Sequence, residues 1–127
     1  MRNAIAAALV SAGVALGVAQ ARPDMSGEWS LQTDFAWLQQ VDCRLEQKET
    51  TLKGSCGSGA RSEAVEGVVT SEGVSWVWDV PGSAPNGATV RYAFSGKVGQ
   101  GERRIAGSVT GADLSKNFPE QSAKFSG

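Results

Sequence analysis

From Met25 onward, apolar and polar residues alternate with a period of two in one short segment after another. Five of these segments share one form: a large apolar residue, any residue, glycine, any residue, and a second apolar residue. They are Met25-Ser26-Gly27-Glu28-Trp29, Leu52-Lys53-Gly54-Ser55-Cys56, Val65-Glu66-Gly67-Val68-Val69, Phe94-Ser95-Gly96-Lys97-Val98 and Ile105-Ala106-Gly107-Ser108-Val109. Alternate residues of a strand face the same way, so the apolar residues and the glycine share one face and mostly polar residues take the other. A glycine weakens a flat strand but lets a sheet bend sharply, as the wall of a small barrel must.

Hairpin register must set inward residues against inward residues. Closing pairs Gln47/Leu52, Val69/Val74 and Val98/Arg103 each enclose a four-residue turn, an ordinary hairpin length. These registers place a bulky side chain over a glycine at Leu45/Gly54, Trp76/Gly67, Ile105/Gly96 and Phe94/Gly107, a pairing that fills the space a glycine leaves. They also set Cys43 opposite Cys56. Opposed residues lie roughly 4.5 to 5.5 Å apart, within disulfide reach.

Strands are expected near residues 25–33, 40–47, 51–57, 63–70, 73–80, 88–98, 103–110 and 121–126. No segment shows a sustained helical period, and the short connections favour pairing in sequence order. The expected fold is all-β, an eight-stranded antiparallel up-and-down barrel with one cross-strand disulfide. Its longer connections, Asp34–Gln40, Pro81–Gly87 and Gly111–Glu120, are where binding groups are expected on a rigid scaffold.

The N-terminus has a different pattern. Arg2 precedes an apolar run from Ala4 to Ala19 that ends in Val18-Ala19-Gln20-Ala21, the form of an export signal cleaved after Ala21. Residues 1–21 are therefore assigned to a signal peptide and 22–127 to a single barrel domain, periplasmic or secreted, with no stable membrane insertion after cleavage. The net charge of −1 becomes −2 once Arg2 is removed, and no run of like charge marks a nucleic-acid surface. Two cysteines in an exported chain favour a structural disulfide.

The chain has no histidine. It lacks the usual general base at neutral pH, and two thiolates alone do not make a metal site, so no metal, cofactor or catalytic residue is assigned. Asp42, Glu46, Glu63 and Glu66 are read as solvated charges on outward positions. The aromatic residues carry more information. Trp29, Trp76, Trp78, Tyr92, Phe94 and Phe125 take the inward phase, while Phe35 and Trp37 lie in the first long connection. The expected ligand site is Trp29, Trp76, Trp78 and Tyr92, covered by Phe35 and Trp37, with apolar walls and a few polar tips.

Ser26-Gly27-Glu28-Trp29, Cys43-Arg44-Leu45-Glu46-Gln47 and Leu52-Lys53-Gly54-Ser55-Cys56, followed by Tyr92-Ala93-Phe94-Ser95-Gly96 and the Ile105–Val109 segment, resemble small secreted bacterial barrels of lipocalin-like or calycin-like type. Gly27 and Trp29 are similar to the Gly-x-Trp that closes one barrel end in lipocalins and avidins. The first half also resembles bacterial metalloprotease-inhibitor barrels, whose second-half pattern is absent. The resemblance implies the fold and adds little about activity. Three functions follow as expectations: a carrier of a small apolar or aromatic ligand, a protein-binding barrel such as a protease inhibitor, or a stable module without a ligand.

Overall fold

The alternating segments form eight strands, β1 (Gly27–Thr33), β2 (Gln40–Lys48), β3 (Thr51–Ser58), β4 (Arg61–Val69), β5 (Val74–Val80), β6 (Val90–Val98), β7 (Ile105–Asp113) and β8 (Gln121–Ser126). In the computed structural model, which describes residues 22–99 and 103–127, each strand pairs antiparallel with its neighbours and β8 returns to β1, closing a barrel. The expected export signal over residues 1–21 lies outside the described residues.

Two hairpins have the expected register. Cys43 faces Cys56 and the two are disulfide-bonded; Leu45 faces Gly54, Gln47 faces Leu52, Gly67 faces Trp76 and Val69 faces Val74. The β6–β7 hairpin is shifted by two residues from expectation. Val98 faces Ile105 rather than Arg103, Phe94 faces Val109 rather than Gly107, and Gly96 faces Gly107. The two opposed glycines are compensated from a third strand: Phe125 of β8 pairs with Gly107, and its ring tip would stand 3.0 Å from a Cβ added at Gly96. Six residues, 99–104, therefore separate β6 from β7, and Arg103 leaves the strand.

The inward positions make one continuous core. Trp76 stacks on Phe94 at 4.9 Å between ring centroids, and Phe125 meets both edge-on at 5.9 and 5.1 Å. Outward positions such as Arg44, Glu46, Lys53, Glu66, Arg91, Ser95, Ser108 and Lys124 are exposed and polar.

The two ends differ in how the strands are connected. One end carries the start of β1 and the turns β2–β3, β4–β5 and β6–β7. The other carries residues 34–39, 81–89 and 114–120 together with the short β3–β4 turn. All three long connections thus gather at one end, as antiparallel alternation requires of connections that follow odd-numbered strands.

Candidate functional site

Strand tilt explains how the loop end acquires its aromatic cluster. A row of partners runs from Gly27 through Leu45, Gly54, Val65, Trp78, Tyr92 and Gly111 to Gln121. On closure, however, β8 meets β1 with Phe125 beside Thr33. Gln121 is four residues before Phe125, so the row returns to β1 at the level of position 37, four residues beyond Thr33. The 34–39 connection is thereby carried across the mouth to Tyr92 and Trp78.

There Phe35 is buried and stacks on Trp37 at 4.7 Å, with Tyr92 at 6.2 Å and Trp78 a further 5.5 Å from Tyr92. The polar tips are all engaged. Trp37 Nε1 donates to Tyr92 Oη at 3.0 Å, and that hydroxyl shares a hydrogen bond with Ser83 Oγ at 3.2 Å. Trp78 Nε1 donates to Glu63 Oε1 at 2.9 Å, while Arg61 Nε holds the other oxygen of Glu63 at 2.8 Å and its guanidinium also bonds the Pro81 carbonyl. Thr33 anchors the connection: its hydroxyl donates to the Leu38 carbonyl and accepts from the Phe35 N–H at 3.1 Å.

Of the six residues expected to form a site, the structure brings Phe35, Trp37, Trp78 and Tyr92 together. Trp76 lies one step deeper, in the Phe94–Phe125 stack. Trp29 belongs to the turn end, where its Nε1 donates to the Met25 carbonyl at 2.9 Å and the Arg103 guanidinium lies 4.2 Å over its ring. Trp37 is the one of the six with an exposed ring, at 56%.

Glu63 corrects the reading of outward charges. It shares the phase of Val65 and Val69, so it faces the mouth, half-buried against Trp78. Counting in twos from Val65 is the signal that finds it. Asp42, Glu46 and Glu66 are exposed. Arg61, in the same phase and bonded to Glu63 along the strand, is found by the same count, whereas Ser83 had no sequence signal, because it reaches Tyr92 from the 81–89 connection.

The four indole N–H groups are not equally placed. Those of Trp29, Trp37 and Trp78 have partners, whereas that of Trp76, buried at 1% exposure, has none among the described residues. A buried donor without a partner costs about 1–3 kcal/mol. At the rim, Asp113 accepts from Ser115 Oγ at 2.6 Å, Ser115 N–H at 2.9 Å and Asn117 N–H at 3.1 Å, and these bonds, the Ser115 hydroxyl's first, hold its carboxyl below the usual range.

Comparison with family models, with curated proteins and with solved structures returned no match.

Proposed function

We propose that the chain is an exported binding protein that takes a small apolar or aromatic ligand carrying a hydrogen-bond acceptor at the loop end of the barrel. The observation that carries this reading is the unpartnered indole of Trp76 beneath a mouth of aromatic rings whose other indoles are all satisfied. The ligand displaces the Phe35–Trp37 stack from Tyr92 and Trp78. One side-chain hydrogen bond to Tyr92 and an exposed ring make Trp37 the residue that moves at least cost. The disulfide is compatible with an oxidising compartment, and with the N-terminal export pattern it supports a periplasmic or secreted location. The Gly27/Trp29 start and the barrel support the lipocalin-like resemblance as a guide to this role.

A test uses menadione, an aromatic quinone with two carbonyl acceptors, against its parent hydrocarbon. Menadione should quench tryptophan fluorescence saturably and bind more tightly than the hydrocarbon. Trp78→Ala should weaken binding about tenfold, while Trp29→Ala should lower the melting temperature and leave affinity near the parent's. If a panel of quinones, lipids and aromatic acids gives no saturable signal with folded protein, the carrier reading fails. A second reading would then lead. Trp37, Leu114 and Phe118 expose 56%, 48% and 40% of their surface on connections at this same end, which favours a protein partner there.

A further inference from the structure

The 81–89 connection contains Ala84-Pro85-Asn86-Gly87-Ala88, a turn led by proline and closed by the Gly87 N–H on the Ala84 carbonyl at 2.9 Å. In an asparagine–glycine pair the side-chain amide is open to attack by the next backbone nitrogen, because glycine has no side chain to shield that nitrogen. Gly87 has φ +81°, and nothing stands within 4 Å of where its Cβ would be. Asn86 is exposed. The other asparagine among the described residues, Asn117, is followed by the bulky Phe118.

Each group of that reaction has a partner in the folded connection. Asn86 Oδ1 accepts from the Ala88 N–H at 3.0 Å, a bond that draws charge off the amide carbon and makes it the better electrophile. Asn86 Nδ2, the leaving group, donates to Ser115 Oγ at 3.2 Å and so ties the 81–89 connection to the 114–120 connection. The nucleophile, Gly87 N, is turned to Ala84. The first bond activates the carbon. The other two restrain the leaving group and the nucleophile, so the reaction proceeds from the opened connection, a local event that leaves the barrel folded.

We propose that Asn86-Gly87 is a site of spontaneous deamidation that turns the loop end from latched to open. Gly87 N forms a bond to Asn86 Cγ, the Cγ–Nδ2 bond breaks, and ammonia leaves with the proton that the Gly87 nitrogen gives up. Water then opens the cyclic imide at either carbonyl, leaving an aspartate or an isoaspartate at position 86. Either product carries a carboxylate, which accepts hydrogen bonds and donates none. The single hydrogen of the Ser115 hydroxyl already goes to Asp113 Oδ2 at 2.6 Å, so acceptor would face acceptor and a second negative charge would stand beside Asp113. In the aspartate product the acceptor for the Ala88 N–H survives. The turn therefore keeps its shape while its side-chain tie to the 114–120 connection is lost. The change does not reverse by itself, and it requires no ligand in the mouth.

The experiment follows positions 86 and 117 of the purified protein by peptide mapping with mass spectrometry during prolonged incubation in mildly alkaline buffer. Asn86 should convert to isoaspartate and aspartate while Asn117 keeps its amide. Conversion should run about tenfold slower than in the denatured chain, where the turn is absent. Ser115→Ala removes the latch and should speed conversion in the folded protein roughly fivefold, the weight of one lost hydrogen bond. Asn86→Asp reproduces the aspartate product and is read by amide exchange. The Leu114 N–H, which donates to the Thr89 carbonyl across the two connections, should exchange roughly fivefold faster in that variant, while Val77 and Ala93 in the wall exchange as in the parent. An Asn86 amide that survives in folded Ser115→Ala after the denatured chain has converted fully would overturn the site. Equal rates in folded and denatured protein would overturn the gate, and Leu114 exchange unchanged by Asn86→Asp would overturn the switch.

Discussion

The two ends of this barrel use the same residue type for opposite purposes. At the turn end Trp29 is buried, and its indole bonds a carbonyl four residues away while Arg103 seals its outer face. At the loop end Trp37 is exposed and bonds Tyr92, 55 residues distant. The first contact closes a local segment on itself; the second holds one connection against a far strand. The turn end also has long-range bonds, from Met25 N–H to Gln47 Oε1 and from Arg103 to the Glu28 carbonyl, but none of them takes the Trp29 indole itself. The mouth spends hydroxyl, carboxylate and indole groups on placing rings, through bonds that an entering molecule can replace. The difference implies that stability resides in the waist and turn end, and adaptability in the mouth.

The largest expected effect tests that division directly. Trp76→Ala, in the Phe94–Phe125 stack, should destabilise by about 3–5 kcal/mol in chemical denaturation. Trp37→Ala should cost no more than about 1 kcal/mol, because little buried surface is lost. Equal losses would end the distinction between a structural waist and an adaptable mouth.

Reduction of Cys43–Cys56 should come next. The bond spans 13 residues between β2 and β3, and a loop of that size contributes about 3 kcal/mol, chiefly through the unfolded chain. The denatured, non-reduced protein should show no titratable thiol. Near-ultraviolet circular dichroism at low temperature should change little on reduction, because the rings at the mouth are held by contacts among themselves and by the Trp37–Tyr92 bond. A large loss of aromatic signal without unfolding would show that the mouth depends on this staple.

Much of the fold was legible because its rules are local. Period two gave the strands, and the β2–β3 and β4–β5 registers followed from pairing a bulky residue with a glycine on the adjacent strand, as at Trp76 and Gly67. The same rule misplaced β6–β7, where Gly96 and Gly107 face each other and Phe125 fills the gap from β8. A glycine filled from outside its own hairpin leaves no mark on that hairpin's sequence. The site was legible in part for the same reason. Trp78 and Tyr92 are inward by phase and opposed by register, and Phe35 and Trp37 follow from their connection. Glu63 could have been found by phase alone. That Trp29 stands apart follows from its place near the start of β1, at the turn end.

The smallest expected effect lies in the loop-end rim and concerns acid. Asp113 ends β7 and ties the 114–120 connection through Ser115 and Asn117. Its carboxyl is held below the ordinary value of 3.8, first by the Ser115 hydroxyl. A carboxyl whose folded pKa is depressed contributes stability above its unfolded value, and that contribution is lost as pH falls through the folded value. Acidification below pH 3.8 should therefore loosen the 114–120 connection while the barrel wall remains paired. A global melt cannot isolate this, because Asp24 and Asp79 are also held low, by the Ser26 backbone and by Arg91. The local measurement is exchange of the Ser115 and Asn117 amides across that range, with Asp113→Asn as the comparison. In the parent these amides should lose protection before those of β7, and in the variant the pH dependence should vanish. If the parent instead loses both together, the rim is part of the cooperative barrel, and the mouth is more rigid than the exposed Trp37 ring implies.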